Sequence, residues 1–399
     1  MSGGPAGGGP VVGIVGGGQL ARMLAEAATP LGVHVRVLAG PADEGAPEVV
    51  PDVVVGAADD PDALRAFAAG VDVVTFDHEN VDHAALEEVE RAGTPVRPGV
   101  STLRYSDKAH QRRSFEAAGL PVPPFAVVDP VGAPGPAVEV ALRFAEAHGG
   151  DDGRIVCKAS RGGYDGRGVW MPTTDELPAF LAGYGGAPLV LEPLLELERE
   201  VAVLVARRPS GEVAAWPVLE TVQVDGMCDE VLLPASLPSG LEEAAARIGE
   251  AVATTTGAVG VVAVELFVLA GADGPRLLVN EIAPRVHNSG HLTIEACRTS
   301  QFEQHLRAVL DWPLGPVDPI WPAAAMANVV GGESGDPRER QADALAAVPH
   351  AHLHLYGKAP RPARKVGHVT VVGDELAACR RDAGLAADVL SGVGGSADG

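Results

Sequence analysis

The chain has 399 residues, 46% hydrophobic, 21% charged and only 4% aromatic, which exceeds one ordinary core and calls for two or three globular domains built on Val, Leu, Ala and Ile. Its formal net charge of −23 works against nucleic acid and anionic membranes as partners. Any phosphate site must then be a basic island in an acidic molecule.

Met1 to Pro10 is Gly-rich without a basic leader pattern and reads as a flexible extension. Val11 to Val15 is a short apolar run followed by Gly16-Gly17-Gly18-Gln19 and a helical pattern from Leu20 to Ala28. Val33 to Leu38, Val53 to Val55 and Val71 to Phe76 read as further strands with helical stretches between them. That alternation predicts a parallel, doubly wound sheet ending near Pro98. Ser106-Asp107 then caps a helix over Lys108 to Ala118. From Phe125 to about Leu310 the pattern becomes α+β, with strands over Arg154 to Lys158, Leu189 to Glu192, Glu200 to Ala206, Val213 to Val218, Val261 to Val268 and Leu277 to Ile282. Beyond Ala325, short runs around Asn328, His354 and His368 suggest a small β-rich module. The tail after Leu390 is Gly/Ser-rich. No apolar run approaches the roughly 20 residues of a membrane span. Cys157, Cys228, Cys297 and Cys379 lack metal-ligand spacing and fit reduced thiols in a cytoplasmic protein.

Five clusters carry chemistry. Gly16, Gly18 and Ala21 spell G-x-G-x-x-A between a strand and a helix. The second strand, ending Val37-Leu38-Ala39, lacks the acidic residue of a dinucleotide site. The turn therefore either packs a helix on the sheet or offers amides to another phosphate. The second cluster is a strand ending in Lys158, followed by Gly162, Gly163, Gly166 and Gly168 with Arg161 and Arg167. It frees backbone amides to wrap an anion beside a point charge, although it is not a Walker loop. Third, Glu265 and Glu281 lie in apolar strands around Gly271-Ala272-Asp273-Gly274; a hairpin centred near Asp273 sets them face to face. Opposed carboxylates in such a place are costly unless a cation bridges them, and Mg²⁺ with nucleotide phosphates is the natural choice. Fourth, Arg285, His287, Asn288, Ser289 and His291 make a dense polar run just after Glu281. Fifth, Lys358, Arg361, Arg364 and Lys365 form one of the few basic islands, either a solvated face or a phosphate site.

The order of glycine loop after a strand-terminal Lys, Glu strand and Asn-Glu strand resembles the ATP-grasp enzymes. The strings Gly162 to Gly168, Asn280 to His291, Ser300 to Arg307 and Arg364 to His368, with Gly13 to Met23, are similar to the 5-(carboxyamino)imidazole ribonucleotide synthetases over about Val11 to Val372. The resemblance implies a pre-ATP-grasp domain (11–105), an ATP-grasp core with its flap (106–324) and a small C-terminal domain (325–390), between flexible ends 1–10 and 391–399. It implies a homodimer using ATP, Mg²⁺, bicarbonate and 5-aminoimidazole ribonucleotide. Arg104 and Lys158 would meet ATP phosphates, with Gly163, Tyr164, Asp165, Gly166, Arg167, Gly168 and Val169 as the phosphate loop. Glu192, Pro193, Leu194 and Leu195 would form the adenine hinge, with Glu200 on the ribose and Gln223 where the family often carries His. Glu265 and Glu281 would hold Mg²⁺ beside Asn280. Glu79, Arg285, His287, Asn288, Lys358, Arg364 and Lys365 would surround the ribonucleotide, with Lys158, Glu265, Glu281 and Arg285 closest to the chemistry. The rivals are another ATP-grasp ligase, such as one joining formate to glycinamide ribonucleotide, and a non-catalytic ATP-binding protein.

Overall fold

The structure is a computed structural model and describes residues 8–131, 134–150, 152–163, 167–271, 274–332 and 334–392. Among the described residues the strands form three sheets. The first holds β1 (Val11–Val15), β2 (His34–Ala39), β3 (Asp52–Val55) and β4 (Val73–Phe76) in the order β3-β2-β1-β4, all parallel. Parallel neighbours need crossovers. The helix Gln19–Leu31 supplies one and stops at Gly32, whose left-handed φ of 66° closes its carbonyls. The helix Pro61–Ala68 supplies another, capped by Asp60 with Pro61 at its first position. All four residues of β4 are buried, as a sheet covered on both faces requires.

The second sheet is small and antiparallel: β5 (Ala126–Val128), β6 (Ile155–Ala159), β7 (Val169–Trp170) and β8 (Leu189–Pro193), ordered β5-β8-β6-β7. It has a core of its own, in which Ile155, Cys157 and Leu189 pack against Phe144 and Leu181 from its two helices.

The third sheet holds β9 (Leu197–Arg207), β10 (Val213–Ala215), β11 (Leu219–Val224), β12 (Met227–Leu233), β13 (Gly260–Leu269), β14 (Arg276–Ala283), β15 (Ala323–Val330), β16 (His352–Leu355) and β17 (Lys365–Gly373). Its order is β14-β13-β9-β11-β12-β15-β17-β16, with β10 beside β9. The C-terminal strands thus continue the central sheet through the β12–β15 pair. Leu24 of the first crossover helix shares a core with Leu204, Phe302 and Tyr356, fastening the first sheet to the third.

Two expectations change. The run Val213 to Val218 is not one strand: the Trp216 amide still donates to the Leu204 carbonyl of β9 at 3.0 Å, but Pro217 beyond it has no amide hydrogen to continue a ladder. The Trp216 indole is buried and donates to the Thr299 carbonyl at 3.1 Å. The C-terminal module is also less β-rich than its short apolar runs suggest. The helix Leu376–Ser391 packs Cys379, Ala383, Ala386 and Leu390 onto β15 and β17.

Candidate active site

The β13–β14 hairpin sets Glu265 directly opposite Glu281, with a bulge just after Glu265. Burial, then the neighbouring Glu281 and Glu200, push the Glu265 carboxyl well above its ordinary range. Burial also works against the charge of Glu281. The Lys108 ammonium, by attraction and by a hydrogen bond, outweighs it and holds that carboxyl below its ordinary value. One carboxylate is thus firmly charged while its partner resists ionising, the condition a shared cation relieves. Two hard carboxylates suit Mg²⁺. Among the described residues no group of three metal-ligating side chains forms an all-protein cage. A magnesium ion held here would complete its shell with phosphate and water, as Mg²⁺ commonly does.

Lys158 leaves β6 opposite Val169 and Val190 and reaches the same place. Its Nζ donates to Asn280 Oδ1 at 3.0 Å and lies 2.8 Å from Glu192 Oε2. Arg112 Nε stands 2.5 Å from the other Glu192 oxygen. Burial opposes that carboxylate, but Lys158 and Arg112 carry it down to about 2. Its side chain is committed to these cations. Pro193 ends β8 and Leu194 is exposed beyond it, next to Leu195. Glu200 lies on β9 opposite Phe267 and Thr221. Burial raises its carboxyl, Lys158 lowers it and Glu281 raises it again. Gln223 follows a bulge in β11 and pairs with Cys228. Arg104 is largely exposed and reaches Glu87 at 2.9 Å.

The glycine loop caps the β6–β7 hairpin. Gly162 and Gly168 take φ of +77° and +74°, a region costly for other residues. Gly163 packs so closely that an added Cβ would sit 2.8 Å from the Arg167 carbonyl. Tyr164, Asp165 and Gly166, and the proposed hairpin centre Asp273, lie outside the described residues.

The polar run after β14 bends toward the same pair. His287 Nε2 is 3.3 Å from Glu265 Oε1. Burial, then Arg285 and Lys365, draw the His287 pKa down to about 3, so the ring is neutral at physiological pH. Arg285 Nε meets Glu79 Oε1 at 3.0 Å. Asn288 exchanges side-chain hydrogen bonds with Asn328 at 2.9 and 3.0 Å. Lys358 donates to Gln19 at the start of the first crossover helix, and Arg364 Nη1 reaches Glu44 Oε2 at 2.6 Å. Lys365 opens β17, and its charge is felt at both Glu265 and His287.

The first glycine turn does not offer its amides to a phosphate. The amides of Gly18 and Ala21 donate to the Asp77 carboxylate at 2.7 and 3.0 Å, and that of Gly17 to Asp43 at 3.0 Å. Of its two expected uses, helix packing stands, and these three amides are not open to a phosphate. Lys108, Arg112, Gln19 and Glu44 were not singled out by the sequence reading. The only signal for Lys108 and Arg112 was their being cations in one short helix of a very acidic chain.

Family models match the chain in three places: an ATP-grasp domain over residues 113–302, a ribonucleotide synthetase preATP-grasp domain over 10–107, and a phosphoribosylaminoimidazole carboxylase C-terminal domain over 324–382. The chain is 47% identical over 393 residues to the N5-carboxyaminoimidazole ribonucleotide synthase of Mycobacterium bovis, covering 96% of this chain and 88% of the relative. It superposes on the N5-carboxyaminoimidazole ribonucleotide synthetase of Thermus thermophilus with a TM-score of 0.82 at 38% identity, over 95% and 98% of the two chains. The Aspergillus clavatus synthase, solved with ADP and 5-aminoimidazole ribonucleotide, gives a TM-score of 0.84 at 31% identity, over 96% and 98%.

Proposed function

This chain belongs to the N5-carboxyaminoimidazole ribonucleotide synthase family, and from that premise we propose how its own residues serve the reaction. It is an ATP-grasp ligase of purine biosynthesis. With ATP and bicarbonate it carboxylates the exocyclic amine of 5-aminoimidazole ribonucleotide, yielding N5-carboxyaminoimidazole ribonucleotide, ADP and phosphate.

A bicarbonate oxygen attacks the γ-phosphorus and ADP leaves, forming carboxyphosphate. Carboxyphosphate then breaks its carbon–oxygen bond, releasing phosphate and CO₂ beside the amine; the amine nitrogen bonds that carbon and gives its proton to the phosphate. The observation that carries the assignment of residues is the facing pair Glu265 and Glu281, with Lys108 and Lys158 converging on it. The pair would hold Mg²⁺, which when bound supplies charge neutralisation on the phosphates. Lys158 and the loop Gly163 to Val169, with Arg104 at the edge, grip the triphosphate, and the loop excludes water from an intermediate that water destroys. The backbone of 192–195 receives adenine, Glu200 the ribose, and Gln223 adds a neutral hydrogen bond. Asn280 steadies Lys158. Arg285, Lys358 and Arg364 take the ribonucleotide phosphate, while Glu79, His287, Asn288 and Lys365 orient the rest. The enzyme works as a cytoplasmic homodimer, which sedimentation equilibrium checks; its four unpaired cysteines suit a reducing compartment.

The test is phosphate release from ATP and bicarbonate with the ribonucleotide present and absent. Stimulation by 5-aminoimidazole ribonucleotide, lost on chelating Mg²⁺, is expected. Release indifferent to the ribonucleotide would sink the substrate assignment, and release that survives chelation would sink the role given to the glutamates.

A further inference from the structure

The helix Gln301–Val309 reaches none of the groups assigned above through a charged side chain, yet it buries Gln301, Gln304 and His305 completely. Sealing polar groups is costly unless each is satisfied, so their partners indicate their use. Gln304 closes both ends of its amide on the Gly315 backbone at 2.7 and 2.8 Å. His305 spans Thr75 and Val261. Gln301 turns to the loop after β14. Its Oε1 accepts from the His287 amide at 2.9 Å, and its Nε2 donates to the His287 carbonyl at 2.7 Å and to His291 Nδ1 at 3.1 Å. One side chain thus grips both backbone groups of His287, as a neighbouring strand would. The backbone N–H can only donate, which fixes which end of the amide is oxygen. Gly290 makes room for the grip, because a Cβ there would collide with Gln301 Oε1.

We propose that Gln301 is a positioning residue for the ribonucleotide side of the site, holding His287 and the following Asn288 in place through the His287 backbone. The proposal rests on the reading of His287 and Asn288 as substrate contacts. Gln301 itself touches no reacting atom. Without the grip, the polar loop loses its strand-like support at His287 and its side chains lose their fixed positions.

The experiment uses the full-length enzyme with Gln301→Met, which keeps the buried volume but cannot donate or accept, and Gln301→Glu, which keeps the acceptor for the His287 amide and loses the donor. The KM for 5-aminoimidazole ribonucleotide should rise about ten-fold or more in Gln301→Met, which loses all three of these hydrogen bonds. The Glu variant should fall between it and wild type. ADP affinity by calorimetry should stay within about two-fold. In a double-mutant cycle, Gln301→Met added to His287→Ala should raise KM less than it does alone. ADP affinity falling in step with the ribonucleotide would reduce Gln301 to a fold residue and overturn the proposal. So would a wild-type KM in Gln301→Met beside an impaired His287→Ala. A wild-type KM in His287→Ala would instead overturn the substrate role given to His287. Should Gln301→Met not fold, Gln301→Glu with wild-type KM overturns the proposal by itself.

Discussion

The glycine turn after β1 and the glycine loop after β6 look alike on paper: a strand, a cluster of glycines, then polar residues. Around the first the protein has placed Asp43 and Asp77, whose carboxylates take the amides of Gly17, Gly18 and Ala21. Around the second it has placed Lys158, Arg161 and Arg167. Glycine lets backbone amides come close to an anion, but the charge of the neighbouring side chains decides whether that anion is the protein's own or a guest. Only glycine fits at position 18, since a Cβ there would collide with Asp77 Oδ2.

The contrast is sharpest where substitutions should separate activity from stability. Gly168→Ala puts a side chain at a φ of +74° and 3.2 Å from the Gly163 Cα. Turnover should fall about 100-fold through misplacement of the phosphate loop, with a melting temperature within a few degrees of wild type. Wild-type steady-state kinetics for that variant would break the comparison from the second side. Asp77→Ala strips the first turn of two charge-assisted bonds at a helix N-terminus and should lower stability by about 2 kcal/mol. ADP affinity should hold; a loss of ADP binding, measured by calorimetry, would show that the first turn does serve the nucleotide. The smallest effect is on pH. The strand leading to Asp77 is tied to β13 by His305, whose Nε2 lies 2.7 Å from Thr75 Oγ1 and whose Nδ1 accepts from the Val261 amide at 3.0 Å. Burial draws its pKa from 6.5 to about 3. As pH falls below 6.5 the unfolded chain therefore takes up this proton before the folded one, and stability declines from there toward pH 3. Its share is about 1 kcal/mol between pH 6.5 and 5.5, because the unfolded imidazole is only half protonated at the start of that interval. His305→Gln should flatten denaturant midpoints measured between about pH 6.5 and 5.5, and an unchanged slope would remove the tie.

Much of this was legible in the sequence because it is local. The two apolar runs either side of Gly271 and Gly274 marked the glutamate hairpin, although only the bulge after Glu265 brings Glu281, in place of Asn280, opposite it; the glycine spacing after Lys158 marked the loop. What stayed hidden depends on long chain separations. Lys108 meets Glu281 from 173 residues away, and nothing near either residue announces it. Asp77 and Glu79 sit together in one acidic string, yet Asp77 turns back to cap a helix while Glu79 goes forward to Arg285. Only the sheet, by setting β1 beside β4, separates their tasks. The end of β10, by contrast, is legible: Pro217 has no amide hydrogen to give a ladder and stands inside the run Val213 to Val218.

Lys158 belongs to the small sheet and Asn280 to the large one, so their 3.0 Å hydrogen bond joins two bodies with separate cores. Rocking the small sheet away breaks that bond and takes an ammonium out of the cleft together with the glycine loop. Shape and charge leave as one, which makes the joint an electrical interlock. On the proposed reading, a cleft that gaped enough to admit water would also have withdrawn the counter-charge from the nucleotide's terminal phosphate, so greatest exposure would coincide with least reactivity.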